Sequence, residues 1–473
     1  MVDTTVATAS TASATDAGAT IAEQVAVVRA GFDSGITRPL EWRREQLEAM
    51  RRMLVENGPA IEQAVLADLG KPPVEGYMTE IGSVKTEIAL TLKHLAKWTK
   101  RRKIPFVPTV MSNGFIQREP LGTVLVIAPW NYPVHLLLMP VVGALAAGDA
   151  VVMKPSEVAP ATSAVLEELV PKYLDTRAIT IIGGGIPETT ELLSLPWDHV
   201  FYTGNGTVGR IVLRAAAEHL TPVTLELGGK SPVWVDPSAD IAETANWLAW
   251  GKFLNTGQTC VAPDYVLTTP EVQPKLIAVL REEIAALYGD DPRRSPDYGR
   301  IVNERHANRL AGLIAGSNAA IGGEVDPGSR YVAPTVLQDV GAGDPAMQEE
   351  IFGPILPIVP VADVDAAIAH VNAGDKPLAM YLYSGDDAPI EAFLARTSSG
   401  SVAINANLIQ NGISTLPFGG VGASGMGAYH GEESVRVFSH DRSVVRKVTW
   451  LPNLVKFSHP PFTPKKEKQL RSA

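Results

Sequence analysis

The chain of 473 residues contains one cysteine, Cys260. It can therefore form no internal disulfide and no Cys-rich zinc site. Its nine histidines are scattered. No His-Glu-x-x-His pattern occurs, so neither a structural nor a catalytic zinc is expected. Basic charge is also in deficit: 41 Lys and Arg stand against 51 Asp and Glu, a net charge of −10. A nucleic-acid binder would need a dominant basic face. Only short basic clusters occur, at residues 100–103 and 465–468, and both read as solvated surface. One long uncharged run, residues 120–148, approaches the length of a membrane span. Pro129, Pro133 and Pro140 interrupt it, so a strand, a loop and a buried helix are expected there. The chain is expected to be soluble. The first twenty residues lack the cationic start and apolar stretch of a signal peptide and read as a disordered leader. A single cysteine fits a reducing compartment, and a cytoplasmic location is expected.

What the chain does have is enough apolar sequence, 45% of its residues, for two or three cores. From about 41 to 103 the apolar spacing is helical, then residues 104–118 turn extended. A strand–helix alternation follows. Strands are expected at 122–128, 150–154, 178–182, 199–203 and 222–227. Helices are expected at 134–147, 162–173, 188–194 and 208–219. Nearly continuous apolar strands in such an alternation imply an α/β fold, with a parallel sheet covered on both faces. Ligands then bind at the carboxyl ends of the strands. A second α/β region spans about 228–415, with helices near 241–253, 272–287 and 304–315.

Several short segments could carry chemistry. Gly204-Asn-Gly-Thr-Val-Gly209 matches G-x-G-x-x-G between a strand and a helix. It reads either as a pyrophosphate turn or as a plain tight turn. It follows the fourth strand, whereas an ordinary Rossmann fingerprint follows the first. Lys154-Pro-Ser-Glu157 closes the second strand, where Lys and Glu can bond ribose hydroxyls or merely form a polar turn. Cys260 sits in Gly257-Gln-Thr-Cys-Val-Ala-Pro263, a polar, flexible setting that suits a presented thiol better than a packed one. Glu226 ends the fifth strand. A helix-covered sheet has no wet face, so this carboxylate is placed at a rim or cleft, where it can serve as a general base. Asn131, in Pro129-Trp-Asn-Tyr-Pro133, can turn the chain or donate to an oxyanion. Two further motifs fail. Gly228-Gly-Lys-Ser231 lacks the first glycine of a P-loop, because position 224 is Thr. Gly422-Ala-Ser-Gly425 lacks the last glycine of a nucleophile elbow, because position 426 is Met.

In order along the chain, Pro129-Trp-Asn-Tyr-Pro, Lys154-Pro-Ser-Glu, Gly204-x4-Gly209, Glu226-Leu-Gly-Gly-Lys, Gly257-Gln-Thr-Cys, Glu350-Ile-Phe-Gly-Pro and Pro417-Phe-Gly-Gly resemble the aldehyde dehydrogenase superfamily. The resemblance covers roughly residues 40–460. Trp250-Gly-Lys-Phe and the tail Ser424-Gly-Met-Gly-Ala-Tyr-His-Gly431 are similar to the class-three branch of fatty, aromatic and coniferyl aldehyde dehydrogenases. The resemblance implies a Rossmann-type cofactor domain (21–97 and 121–226), an α/β catalytic domain (227–414) and a small bridging, oligomerising arm (98–120 and 415–473). It implies a five-stranded cofactor sheet and a homodimer. It makes Cys260 the nucleophile, Glu226 the base and Asn131 the oxyanion donor, aided by the Cys260 backbone N–H. Lys154 and Glu157 face the adenosine ribose, Gly204 and Gly209 frame the pyrophosphate turn, and Glu350 and Phe352 hold the nicotinamide ribose and ring. The family commonly has Ser-Thr where this chain has Asn205-Gly206.

The implied reaction is NAD-dependent oxidation of an aldehyde to its acid, with NADP as a possible substitute. It runs through a thiohemiacetal and a thioester on Cys260. Glu157 favours NAD, because a carboxylate near the 2′ position disfavours a phosphate. Three rival readings stay open: a CoA-acylating relative, which would not need Glu226; a cofactor-free thiol esterase, which would not need Lys154, Glu157, Glu350 or Phe352; and a structural protein that kept only the fold, which would not need Cys260, Glu226 and Asn131 together.

Overall fold

A computed structural model describes residues 19–107, 112–450, 456 and 459–472. The expected leader lies outside the described residues, except for Ala19 and Thr20. Thr20 caps the first helix, Ile21–Asp33: its side chain accepts from the Glu23 N–H at 3.2 Å, and Glu23 Oε2 accepts from the Thr20 N–H at 2.7 Å. This reciprocal pair satisfies two donors that a helix start leaves open.

The helical pattern expected over 41–103 resolves into Leu40–Glu56, Gly58–Leu69 and Ser83–Trp98, with a π turn at Tyr77–Gly82. Gly70, at φ +62°, ends the second of these in a left-handed cap that a side chain would strain. The third ends at Trp98, short of the expected 103, because Arg102–Val107 already forms a strand.

Next comes a doubly wound sheet. Its strands run in the spatial order Gly425–Met426, Val223–Glu226, His199–Thr203, Thr123–Ile127, Ala150–Lys154, Ile179–Ile181. The last five are parallel. Thr123–Ile127, Ala150–Lys154 and His199–Thr203 are buried at every residue, as expected for strands covered on both faces. The apolar run 120–148 accordingly becomes a strand, a loop and the helix His135–Ala147, which is buried along its whole length.

Five strands were expected and six are found. The sixth, Gly425–Met426, comes from the C-terminal tail and runs antiparallel, pairing Gly425 with Glu226 and Met426 with Leu225. Gly425 has φ +148°, and a Cβ there would lie 2.2 Å from the Leu225 carbonyl oxygen. Only glycine allows this approach.

The second sheet has seven strands, in the order Ala319–Ile321, Thr335–Leu337, Ile355–Pro360, Tyr265–Thr268, Pro232–Val235, Ala379–Tyr383, Ser401–Ile404. All pairs are parallel except the first. A third, antiparallel sheet joins Arg102–Val107, Ser112–Pro120 and Ser439–Lys447. The tail thus serves two sheets: it edges the first, then closes the third. Among the described residues, no helix is long and apolar enough to cross a membrane.

The tail is seated by aromatic packing. His430 stacks on Phe418 at 5.4 Å between ring centroids and meets Tyr429 edge-on at 4.5 Å. It is buried and neither ring nitrogen has a partner among the described residues. Burial, helped by the nearby His135, pulls its pKa from 6.5 down to about 3. His430 is thus neutral in the fold, while the unfolded chain takes up a proton below pH 6.5. Stability from this group is complete above pH 6.5 and is lost as pH falls toward about 3. Replacing His430 with Phe, which keeps the ring and removes the titration, should flatten the acid limb of a stability-versus-pH curve by about 1.4 kcal/mol per pH unit. Urea unfolding across that range measures it, and an unchanged slope would contradict the assignment.

Candidate active site

In a doubly wound sheet, the crevice opens where the strand order reverses. Here that point lies between Thr123–Ile127 and His199–Thr203. The chain leaves the first of these strands into Pro129-Trp-Asn131 and the second into the Gly204 turn. Lys154 and Glu226 end the strands flanking this pair. Four of the sequence candidates therefore reach one crevice through topology alone.

Asn131 is fastened by charge. Lys71 and Glu80 form an ion pair at 2.7 Å, and both side chains are fully buried. Lys71 Nζ also donates to the Asn131 carbonyl at 3.3 Å and lies 4.0 Å from the centre of the Tyr132 ring. The second Glu80 oxygen accepts from the Val134 and His135 N–H groups, at 3.1 and 3.0 Å, where the next helix begins. The loop carrying Asn131 is thus held at both ends. Asn131 Nδ2 donates to the Gln258 carbonyl at 3.0 Å. An amide nitrogen carries two N–H groups, so one is left for a ligand.

Cys260 is delivered by a strained turn. Asn255, Thr256 and Gly257 have φ values of +51°, +51° and +71°. A left-handed Thr costs on the order of 1–3 kcal/mol, so other contacts must impose it. The Asn255 N–H donates to Glu75 at 2.9 Å, and its side chain donates to the Asn131 carbonyl at 2.9 Å. The Gln258 amide donates to Thr256 Oγ1 at 2.8 Å and to the Arg300 carbonyl at 3.0 Å, and accepts from the Val302 N–H at 2.9 Å. A Cβ on Gly257 would meet the Gly353 carbonyl oxygen at 2.3 Å. Beyond the turn, Tyr132 and Thr259 hydroxyls are 2.6 Å apart, and the Tyr381 hydroxyl donates to the Val261 carbonyl. The half-buried thiol itself is pushed up to about 12, by burial first, then by the charges of Glu350 and Glu226.

Glu226 is buried, not solvent-facing, and neither carboxyl oxygen has a hydrogen-bond partner among the described residues. Burial holds its carboxyl well above the ordinary range. Glu350 is raised to about 8 by burial and by Asp264, against the Gly229 N–H and the charges of Lys230 and Lys252. Its carboxyl lies against Gly228, where a Cβ would sit 2.1 Å from Oε2. Lys230 staples this loop: it pairs with Asp264 at 2.5 Å and donates to the Ala346 and Glu349 carbonyls at 2.8 and 3.0 Å. Phe352 has φ +47°, and its ring meets Trp130 edge-on at 5.3 Å. Cys260 and Glu350 precede adjacent parallel strands of the second sheet, which brings them side by side.

The cofactor candidates fit a dinucleotide. Gly204 has no room for a side chain, since a Cβ would lie 2.2 Å from the Tyr202 hydroxyl. Asn205 caps the helix Gly206–Ala217 by accepting from the Val208 N–H at 3.0 Å. Gly206 opens that helix, and only the flexible end of Arg210 lies close to where its Cβ would sit. A bare glycine turn at a helix N-terminus is suited to a pyrophosphate. Lys154 is buried and donates to the Pro155 and Gly184 carbonyls at 2.7 and 2.6 Å, with Glu157 at 3.9 Å. Lys71, Glu75, Glu80 and Gln258 were not found from sequence. They have no common spacing, and although Lys71 and Glu80 are nine residues apart, the backbone groups that these residues hold at 131–135, 255 and 300–302 lie tens of residues from them.

The aldehyde dehydrogenase family profile matches residues 2–444. The chain belongs to the aldehyde dehydrogenase family. It is an oxidoreductase that oxidises an aldehyde with NAD(P). Its relatives include mouse aldehyde dehydrogenase family 3 member B3, 46% identical over 95% of this chain and 94% of the relative. Another is the rat dimeric NADP-preferring aldehyde dehydrogenase, 47% identical over 93% and 98%. These relatives agree with the class-three resemblance. Among solved structures, the substrate-bound Staphylococcus aureus AldH superposes with a TM-score of 0.93 at 41% identity, over 96% of this chain and 99% of that one. The NAD+ complex of Mycobacterium tuberculosis aldehyde dehydrogenase superposes with 0.79 at 29%, over 91% and 90%.

Two outcomes test this geometry. Lys71→Ala leaves Glu80 buried without its partner and should cost about 3–5 kcal/mol of stability, read by urea unfolding. Glu350→Gln removes a negative charge beside the thiol, so the thiol pKa falls. Alkylation of Cys260 by iodoacetamide in alkaline buffer should then quicken about tenfold for each unit of that fall. An unaltered alkylation rate would show that Glu350 does not act on the thiol.

Proposed function

We propose that Cys260 is the nucleophile of this dehydrogenase, Glu226 its general base and Asn131 its oxyanion donor. The observation that carries the reading is the meeting, at one crevice, of a thiol under the charges of two carboxylates and an Asn amide held by the turn that presents that thiol. The thiolate of Cys260 attacks the aldehyde carbon and forms a thiohemiacetal. Asn131 Nδ2 and the Cys260 backbone N–H steady the oxyanion, and one such donor is worth about 3–4 kcal/mol. Bound NAD(P) supplies the acceptor for the hydride that the substrate carbon loses. Glu226 then takes a proton from water, and the thioester on Cys260 is hydrolysed to the acid. Because burial raises the Glu226 pKa, hydrolysis gains rate as pH rises through that value. A buried base beside the thiol supports hydrolysis over transfer to CoA.

Lys154 and Glu157 hold the adenosine ribose, Gly204 and Gly209 frame the pyrophosphate turn, and Glu350 and Phe352 hold the nicotinamide ribose and ring. The cofactor domain comprises residues 21–97 and 121–226, the catalytic domain 227–414, and the arm 98–120 with 415–473. The working form is a homodimer. The rat relative is named dimeric, and the arm sheet leaves two edge strands open, with Ile104, Phe106 and Val445 exposed. The single cysteine fits a reducing cytoplasm.

Cys260→Ala should abolish aldehyde-dependent NAD(P) reduction. Retained turnover would remove Cys260 as the nucleophile. Glu226→Gln should accumulate acyl-enzyme, visible as a mass adduct on the intact protein. Normal turnover without an adduct would remove Glu226 as the base.

A further inference from the structure

Among the described residues, Lys154 is the only cation acting at the end of its strand, and three carboxylates lie about it: Glu157 at 3.9 Å, Glu188 against Gly184, whose carbonyl Lys154 holds, and Glu167 against Gly183. Three negative charges against one positive leave an excess of two. The carboxylates differ in freedom. Glu157 stands half in solvent, 49% exposed, and can swing away. Glu188 is engaged in capping, its Oε2 accepting from the Gly185 N–H at 2.6 Å. Glu167 projects from the helix Pro160–Tyr173 and is half-buried. Its carboxyl is pressed against Gly183, where a Cβ would lie 2.3 Å from Oε1. No described residue donates a hydrogen bond to it, and Lys154 alone answers its charge.

We propose that Glu167 is a cofactor-specificity residue, which disfavours the 2′-phosphate of NADP and biases the site toward NAD. The inference rests on the proposed placement of the adenosine ribose at Lys154 and Glu157. A 2′-phosphate would bring nearly two further negative charges to a place that already has an excess of them. Phosphate recognition there needs a free cationic fork. Lys154 does not supply one: two of its three N–H donors go to the Pro155 and Gly184 carbonyls, and the one left for the ribose is a single donor, not a fork. Glu157 can rotate toward solvent to admit a phosphate, but Glu167, wedged against Gly183, keeps its charge in place.

The test is direct binding of two probes to the full chain by calorimetry: 5′-AMP, and adenosine 2′,5′-bisphosphate, which adds only the 2′-phosphate. The parent protein should bind 5′-AMP more tightly. Glu167→Gln, which keeps the shape and removes the charge, should lower the ratio of the two dissociation constants by about tenfold. Glu168→Gln changes net charge equally at the next, exposed position and should leave the ratio unaltered. Glu167→Ala provides a second reading should the Gln variant fold poorly. A ratio that does not move in the Glu167 variants, or that moves equally in Glu168→Gln, overturns the proposal alone. Failure of the parent protein to bind 5′-AMP overturns the placement of the ribose and the proposal with it.

Discussion

The fully buried Lys71–Glu80 pair is the contact on which the rest of the site hangs. An ion pair out of reach of water costs much in desolvation, and it persists only where further hydrogen bonds complete both groups. Here those further bonds are the useful ones. Lys71 reaches the Asn131 carbonyl, and Glu80 holds the backbone where the helix His135–Ala147 begins. The same Asn131 carbonyl accepts from Asn255, so the loop after the first strand and the turn before Cys260 share one anchor. Residues more than a hundred positions apart in sequence are thereby fixed against one another.

Strain is placed at the two chain segments that deliver Cys260 and Glu350. Asn255 and Thr256 take left-handed backbone just before the cysteine, and Phe352 does so just after the glutamate. Each is over-determined by its neighbours: Gln258 bonds on both sides of the turn, and Arg309 grips the Ile351 carbonyl at 2.5 Å. The tail adds the remaining wall. Its Gly425 lies against Leu225 and pairs with the Glu226 backbone, and the Glu226 side chain is buried. That burial, with no donor provided among the described residues, is what raises its pKa.

Much of this was readable in advance. The strands 150–154 and 199–203 and the helix 241–253 are found at the expected bounds, because long apolar alternation dominates local choice. The candidate residues were legible where they sit in short contiguous motifs bounded by Gly and Pro, as Asn131, Glu226 and Cys260 do. The sixth strand was not legible, because two residues of Gly-Met carry no strand pattern. Glu75, Glu80 and Gln258 were not legible either. Each looks like an ordinary surface polar residue until folding buries it, wholly for Glu80 and Gln258 and in part for Glu75.

By itself, the sequence determined the α/β class, the absence of disulfide or Cys-rich zinc chemistry, and the family to which the chain belongs. These follow from composition, periodicity and motifs that act over a few residues. Only the tertiary structure decided the environment of each group: which carboxylate is buried, which lysine is held by carbonyls, and which charges face the thiol. The physical reason is that pKa and reactivity depend on desolvation and on partners brought together across the chain. Cys260 has a reactive element in its own chemistry, but the charge around it comes from Glu226, at the end of one strand, and Glu350, ahead of another, which meet it only in the fold.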